Sequence, residues 1–187
     1  MGGQLNSSGG EVAALAASPA YGFSKQTQQS LDLVAGIGVA GDIHAGPTVR
    51  HRSRMAANPS APNLRQVHLL HRELLEELAA EGFAVAPGQL GENVTTRGID
   101  LLALPRGTVL AIGAEVLLEV TGLRNPCGQI EAFRPGLLGR LARKRDDGSI
   151  ERLSGVMAVV RRGGRICEGD RIGVIRPPLP HAMLEPV

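Results

Sequence analysis

RGTVLAIGAEV, residues 106–116, sets two short apolar runs on either side of Gly113. The pattern returns in RGGRICEGDRI, residues 162–172, where Gly107 matches Gly163, Gly113 matches Gly169 and Val116 matches Ile172. Each stretch reads as two short strands around a tight turn, with glycine supplying the positive φ that such turns need. The match is too short to establish a duplication, but it favours a sheet folded from repeated hairpins. Further strands are predicted at 115–121 (EVLLEVT) and 155–160 (GVMAVV). So many short strands avoid open edges most simply by closing on themselves. The fold class expected is mainly β with helical insertions, in a closed or partly closed barrel.

Outward from these runs the period changes. Gln66 to Leu70 suits a strand, with Val67 and Leu69 on one face. HRELLEELAAEG, residues 71–82, then places Leu74, Leu75 and Leu78 on one helical stripe and ends at Gly82, a natural C-terminal stop. Gln129 to Phe133 suits one helical turn, and LLGRLARKR, residues 137–145, an amphipathic helix closed by an Asp146-Asp147-Gly148 turn. LDLVAGIGVAGD, residues 31–42, reads as a strand entering a Gly-rich loop, and 50–63 as an exposed loop. Residues 1–30 lack periodic hydrophobicity and read as a flexible tail, 31–176 as the folded domain, and 177–187 as a Pro-rich C-terminal tail.

Composition narrows the function. A net charge of +2 is too small to argue for nucleic acid, and no basic run is interleaved with aromatics. Aromatics make up only 2% of the chain, so the core must be built from Val, Leu, Ile and Ala. Only two of the twenty basic side chains are lysines, Lys25 and Lys144. The remaining arginines are suited to bidentate grip on carboxylates and phosphates. No apolar run approaches the ~20 residues of a membrane span, and two cysteines forty positions apart make no disulfide framework. A cytoplasmic protein with reduced thiols is expected, without membrane or nucleic-acid partners.

Several familiar chemistries are set aside. GIGVAG, residues 36–41, spells a dinucleotide-binding pattern, but DIHAGPTV follows where a helix should present its N-terminus to pyrophosphate. The turn-rich loop instead presents Asp42 and His44. His68 and His71 fall at a strand–helix junction with no cysteine pair to complete a zinc site. Pyridoxal phosphate needs a lysine. Lys25 falls in the predicted tail and Lys144 on a charged helix face, so that cofactor is not expected.

Two stretches remain. In TGLRNPCGQI, residues 121–130, Cys127 lies between Pro126 and Gly128, three residues after Arg124. A thiol at the start of a helix, near a guanidinium, is favoured as thiolate, which can ligate a soft metal, carry a persulfide or attack an electrophile. The alternative is a small buried hydrophobe. In PGQLGENVTTRG, residues 87–98, Gly88 and Gly91 loosen the backbone, while Glu92, Asn93, Thr95, Thr96 and Arg97 crowd polar groups together. That loop reads either as a donor set for an anionic ligand or as a turn held by its own side chains.

Taken in order, GD-x-H at 41–44, RQVHL at 65–69, PGQLGENVTTRGIDL at 87–101, LPRGTVLAIG at 104–113, TGLRNPCGQI at 121–130 and GVM…GGRICEGDRI at 155–172 resemble a MOSC domain. This is the C-terminal domain of molybdenum cofactor sulfurases, which also occurs as stand-alone bacterial proteins. The resemblance implies a MOSC-type β-barrel with its site around Cys127. It implies that Cys127 ligates molybdenum, with Arg124 beside it. Gly91, Glu92, Asn93, Thr95 and Arg97, with Asp42 and His44, would then hold the molybdenum cofactor (molybdopterin). Two activities follow from the resemblance. One is reduction of N-hydroxylated small molecules with an external electron-donor protein. The other is non-redox sulfur carriage, in which a cysteine desulfurase loads Cys127 with a persulfide.

Overall fold

The computed structural model describes residues 9–187, the side chains of 52–54 excepted. In chain order the elements are β1 (Gly10–Ala17), β2 (Gln26–Gln28), β3 (Ser30–Val34), β4 (Gly38–Val39), α1 (Arg52–Ala57), β5 (Val67–His71), α2 (Arg72–Ala80) and β6 (Val94–Arg97). They continue with β7 (Val109–Ile112), β8 (Val116–Leu123), α3 (Gly128–Phe133), α4 (Leu137–Leu141), β9 (Ala142–Lys144), β10 (Ile150–Arg152), β11 (Val156–Arg162), β12 (Gly164–Cys167) and β13 (Arg171–Ile175).

Seven strands run side by side in the order β13, β7, β8, β11, β5, β6, β1, and β1 pairs back onto β13, so the sheet closes. Every neighbour is antiparallel except β5 and β6, which run parallel because α2 carries the chain across between them. β8 shows why the ring has a filled interior. Its residues alternate buried and half-buried, so Val116, Leu118 and Val120 enter the core while Leu117, Glu119 and Thr121 face out. Val67 and Leu69 from β5 join the same core, with Val156, Ala158 and Val160 from β11.

The outer faces of β5 and β11 are covered too. Leu70 points outward into a second apolar cluster with Leu74, Leu75 and Leu78 of α2, Ile130 of α3, and Leu137 and Leu141 of α4. The helices therefore lie against the outside of the barrel. Ile130 is the peg that pins the loop after β8.

The strands at 109–123 and 156–162 and the helix at 72–80 match the sequence expectations, and Gly82 ends α2 at φ +88°. Five expectations are corrected. The predicted tail over 1–30 extends too far. Residues 1–8 lie outside the described residues, but 10–17 form β1, the strand that closes the barrel. Apart from Glu11 its GEVAALAA sequence is apolar and mostly small, so no sharp alternation marks it as a strand. The stretch 162–172 is not a hairpin. β12 pairs with β3 in a separate three-stranded sheet, while β13 joins the barrel. The helix predicted over 137–145 stops at Leu141, and the chain continues as β9 paired with β10. The C-terminal segment is bound to the barrel: Leu123 N–H donates to Glu185 O (2.8 Å), Arg106 N–H donates to Ala182 O (2.9 Å), and Leu184 packs on the core. Residues 50–63, expected as a loop, also contain α1.

Because β1 closes the barrel, its inward side chains carry the load of an internal strand. Leu15→Ala, at a site 1% exposed, is expected to destabilise the protein by about 2–5 kcal/mol. Leu179→Ala, at a site 80% exposed, should stay within about 0.5 kcal/mol. Urea unfolding of the two variants against wild type checks this.

Candidate functional site

The outward face of β5 offers His68, and the facing residue of β11 is Met157. Above this pair lies a pocket of about 70 Å³, walled by the loops that leave the barrel. Its cationic and imidazole walls are Lys25, Arg65, Arg124, His44, His51 and His68, and its apolar walls include Phe23 and Met157. Among the described residues no carboxylate lines it. A concave surface with that imbalance attracts anions.

Carboxylates stand behind the pocket wall, where they hold the cations in place. Asp42 is buried, and its two oxygens divide their work. Oδ2 accepts from Lys25 Nζ (2.8 Å), Asn93 Nδ2 (3.1 Å) and the Ser18 N–H (3.2 Å). Oδ1 accepts from the His44 N–H (3.0 Å) and faces His44 Nδ1 (3.3 Å). Burial alone would raise the Asp42 pKa, but the His44 and Lys25 interactions outweigh it and hold the carboxyl well below the usual range. Lys25 is correspondingly far from a loose tail. Burial lowers its pKa against the opposing pull of Asp42, and its ammonium is committed to that carboxylate.

Glu92 is fully buried and accepts from the Gly88 N–H (2.7 Å), the Leu90 N–H (3.2 Å) and Thr95 Oγ1 (3.4 Å). Burial raises its pKa, with the Gly88 amide and Arg124 pulling the other way. It braces the 88–92 loop from inside. Asn93 is likewise used up: Oδ1 accepts from the His68 N–H (3.2 Å), and Nδ2 donates to Ala16 O (3.1 Å) as well as to Asp42. Gly91 lines the pocket at φ +84°, and a Cβ there would stand 2.7 Å from Phe23 O. Only glycine lets these two segments approach so closely.

Arg124 leaves β8 toward the pocket. Its guanidinium lies over the Phe23 ring, 5.9 Å from the centroid. Its Nη1 is buried without a hydrogen-bond partner among the described residues. Burial lowers its pKa, and the nearby Cys127 and Glu92 charges oppose that. A buried, unpaired guanidinium N–H costs about 1–3 kcal/mol or more, and that cost is removed when an anion accepts from it.

Cys127 is half-buried and free, with Sγ 3.6 Å from Gln129 Oε1, and Gln129 lines the pocket. The expected help from a helix start is not realised. α3 has six residues, and the sulfur makes no capping hydrogen bond to it. Cys127 and Arg124 stand close enough for their charges to interact. Cys167 is free and exposed on the separate small sheet.

The structure thus brings Arg124, Gly91, Asn93 and His44 together in the pocket wall, with Asp42 and Glu92 behind them, while Cys127 stands outside the lining and meets it through Gln129. Thr95 is buried beneath Glu92. Arg97 lies elsewhere, at the end of β6, where it pairs with Glu76 (3.5 Å) and Glu11 (3.9 Å). Phe23, Lys25, His51, Arg65, His68 and Met157 join the pocket without having been expected there. For His68 and Met157 a signal existed, because strand alternation sends both to the outer face. A larger cleft of about 530 Å³ runs between the C-terminal segment, the β9–β10 hairpin and residues 102–105, and Arg124 does not line it.

His68 gives the site a pH signature. Its Nε2–H donates to Ser154 O at 2.7 Å. Burial first, then the Arg124 and Lys25 charges, hold its pKa well below 6.5, against the pull of backbone hydrogen bonds at Ser154 and Gly91. The folded ring therefore stays neutral where the unfolded ring protonates, so stability falls as pH drops below that ordinary value. The slope contributed is at most about 1.4 kcal/mol per pH unit. His71, also lowered by burial, adds to it in the same direction. Chemical unfolding between pH 7 and 5 should show this loss, and His68→Gln should reduce the slope.

Comparison with known proteins agrees with this architecture. The sequence profile of the MOSC domain matches residues 40–173. The crystal structure of the YuaD protein from Bacillus subtilis aligns with a TM-score of 0.73 at 25% identity, covering 91% of this chain and 97% of that one. YiiM from Escherichia coli aligns with a TM-score of 0.60 at 18% identity, over 92% of this chain and 73% of that one. YiiM from Geobacillus stearothermophilus aligns at 0.62 and 15%, over 94% and 79%. The two YiiM likenesses speak for the fold alone. No curated protein matches the chain. With the family profile spanning well over half of its length on a closed barrel, the chain belongs to the MOSC domain family.

Proposed function

We propose that this protein binds the molybdenum cofactor at the pocket over β5 and β11, with Cys127 as the single protein ligand to the metal. On this reading it reduces N-hydroxylated small molecules with electrons from an external donor protein. The observation that carries the reading is the buried Arg124 Nη1 without a partner, beside a half-buried free cysteine. Among the described residues no three His, Cys, Asp or Glu side chains are grouped to hold a metal ion. A metal here would therefore bring most of its own ligands, as a pterin-bound ion does.

The donor set fits such a group. The enclosed volume would hold one oxyanion-sized group. Arg124 and Arg65 would offset negative charge, while Phe23 and Met157 keep that wall apolar. When bound, the cofactor supplies the two-electron chemistry. The protein's part is to hold the Cys127 sulfur near the Arg124 charge, and to keep Asp42 and Glu92 behind the wall so that no carboxylate repels the anion. Cys127 and Cys167 as free thiols fit the cytoplasm.

The accessibility of Cys127 favours a second reading, a persulfide carrier loaded by a cysteine desulfurase. It expects a mass gain of one sulfur on the Cys127 peptide, removed by reductant. Modification of Cys167 alone would sink it.

Metal and pterin analysis of protein made in a cofactor-competent host separates these readings. Wild type is expected to carry both molybdenum and pterin. Cys127→Ala should lose molybdenum with an unchanged circular dichroism spectrum. Wild type without either component would refute cofactor binding. Arg124→Met is expected to lose the cofactor yet gain about 1–3 kcal/mol of stability, because it removes a buried N–H that has no acceptor. Urea unfolding of the cofactor-free proteins measures that gain.

A further inference from the structure

Asp42 and His44 form a pair whose geometry has a consequence beyond cofactor binding. We propose that His44 is the acid–base residue of the pocket, exchanging its proton at Nε2 while Asp42 fixes Nδ1–H. The identity of the substrate, though not the proton exchange itself, rests on the function proposed above.

The argument begins at Asp42. Oδ2 is filled by Lys25, Asn93 and the Ser18 amide, and Oδ1 faces His44. An ionised carboxylate can only accept hydrogen bonds. The His44 nitrogen 3.3 Å from Oδ1 must therefore carry a hydrogen. That leaves Nε2 as the one position where this ring gains or loses a proton. The backbone of His44 is held on both sides, its N–H by Asp42 Oδ1 (3.0 Å) and its carbonyl by Asn63 Nδ2 (3.0 Å). Its side chain is 23% exposed and lines the pocket, so the ring is held in place yet reachable. A base fixed by a carboxylate on its far nitrogen is the arrangement that acid–base catalysis uses.

The surroundings set how the proton responds to a ligand. From its own loop His44 faces Asp42, and from the α1 side Arg50 and His51, the latter ring 5.3 Å away. From the N-terminal segment it meets the edge of Tyr21 and, across the pocket, Lys25. Arg65, His68 and Arg124 complete the wall. An anion seated against Nε2 can be met by a hydrogen bond only when that nitrogen carries hydrogen, so anion binding should draw a proton onto Nε2.

In the proposed reaction the N–O bond of R–NH–OH breaks as two electrons arrive from the external donor. The oxygen leaves with its own hydrogen and takes the proton from Nε2 to depart as water. The nitrogen takes a second proton from solvent to give R–NH2, and solvent then returns a proton to Nε2.

Two measurements test this. The first is nitrogen NMR of histidine-labelled protein without cofactor. At constant pH, His44 is expected to carry hydrogen on Nδ1, and added inorganic phosphate should raise its Nε2-protonated fraction while His68 stays neutral. Hydrogen on Nε2 alone, or no response to phosphate, overturns the proposal. The second uses molybdenum-loaded enzyme, an aromatic N-hydroxyamidine and a chemically reduced viologen. His44→Gln, which keeps a donor toward Asp42, should lower kcat by about 10²–10⁴-fold and flatten its pH profile, with unchanged metal content. Unchanged kcat, or loss of molybdenum in step with activity, overturns it. Wild type lacking molybdenum would defeat the function proposed above and leave the NMR result to decide the proton exchange.

Discussion

One buried carboxylate joins the parts of this molecule that matter most. Asp42 gathers Ser18 from the end of β1, Lys25 from the loop that follows, His44 from its own loop and Asn93 from the entry to β6. Separated by up to 75 residues, these groups converge because a buried charge is tolerable only when its lone pairs are all occupied. The strand that closes the barrel and the wall of the pocket are thereby held by one group. Removing one member of such a pair leaves the other charged and unpaired, which typically costs about 3–5 kcal/mol.

The same logic divides the site by sign. Acid groups lie behind the wall and cations at its surface. Glu92 is spent on the amides of Gly88 and Leu90, and Asp42 on its five donors. The pocket surface keeps Arg124 with a nitrogen unsatisfied. Stability is given up at that nitrogen so that a ligand can supply what the protein does not. The apolar frame makes this possible. Leu70 and Ile130 sit in the outer cluster beneath the helices, so the loop carrying Arg124 and Cys127 is fixed at both ends, by β8 and by Ile130.

Elements with strong periodicity were legible from residues alone. Leu74, Leu75 and Leu78 fall on one stripe and do form one face of α2. Val116, Leu118 and Val120 alternate and do fill the barrel. β1 was not legible, because Ala and Val in GEVAALAA carry little contrast between faces. The likeness between 106–116 and 162–172 misled for a related reason. Local turn chemistry is the same in both, but the partners of β12 and β13 are set by strands far away in the chain. At the site, Cys127 with Arg124 and the 91–93 segment stood out by residue type. Lys25 did not, since its role exists only once Asp42 is beside it.

What the sequence determined by itself was therefore the local vocabulary: short strands, one strong helix, a cysteine three residues after an arginine, and the ordered motifs of the family. Tertiary structure alone decided which carboxylates face inward, which cations share a pocket, that Arg97 stands apart, and that β1 closes the ring. Helix stripes and strand alternation are written within a few residues, so sequence carries them. Ion pairs and barrel closure join segments tens of residues apart, and burial, which gives them their strength, exists only after the chain has folded.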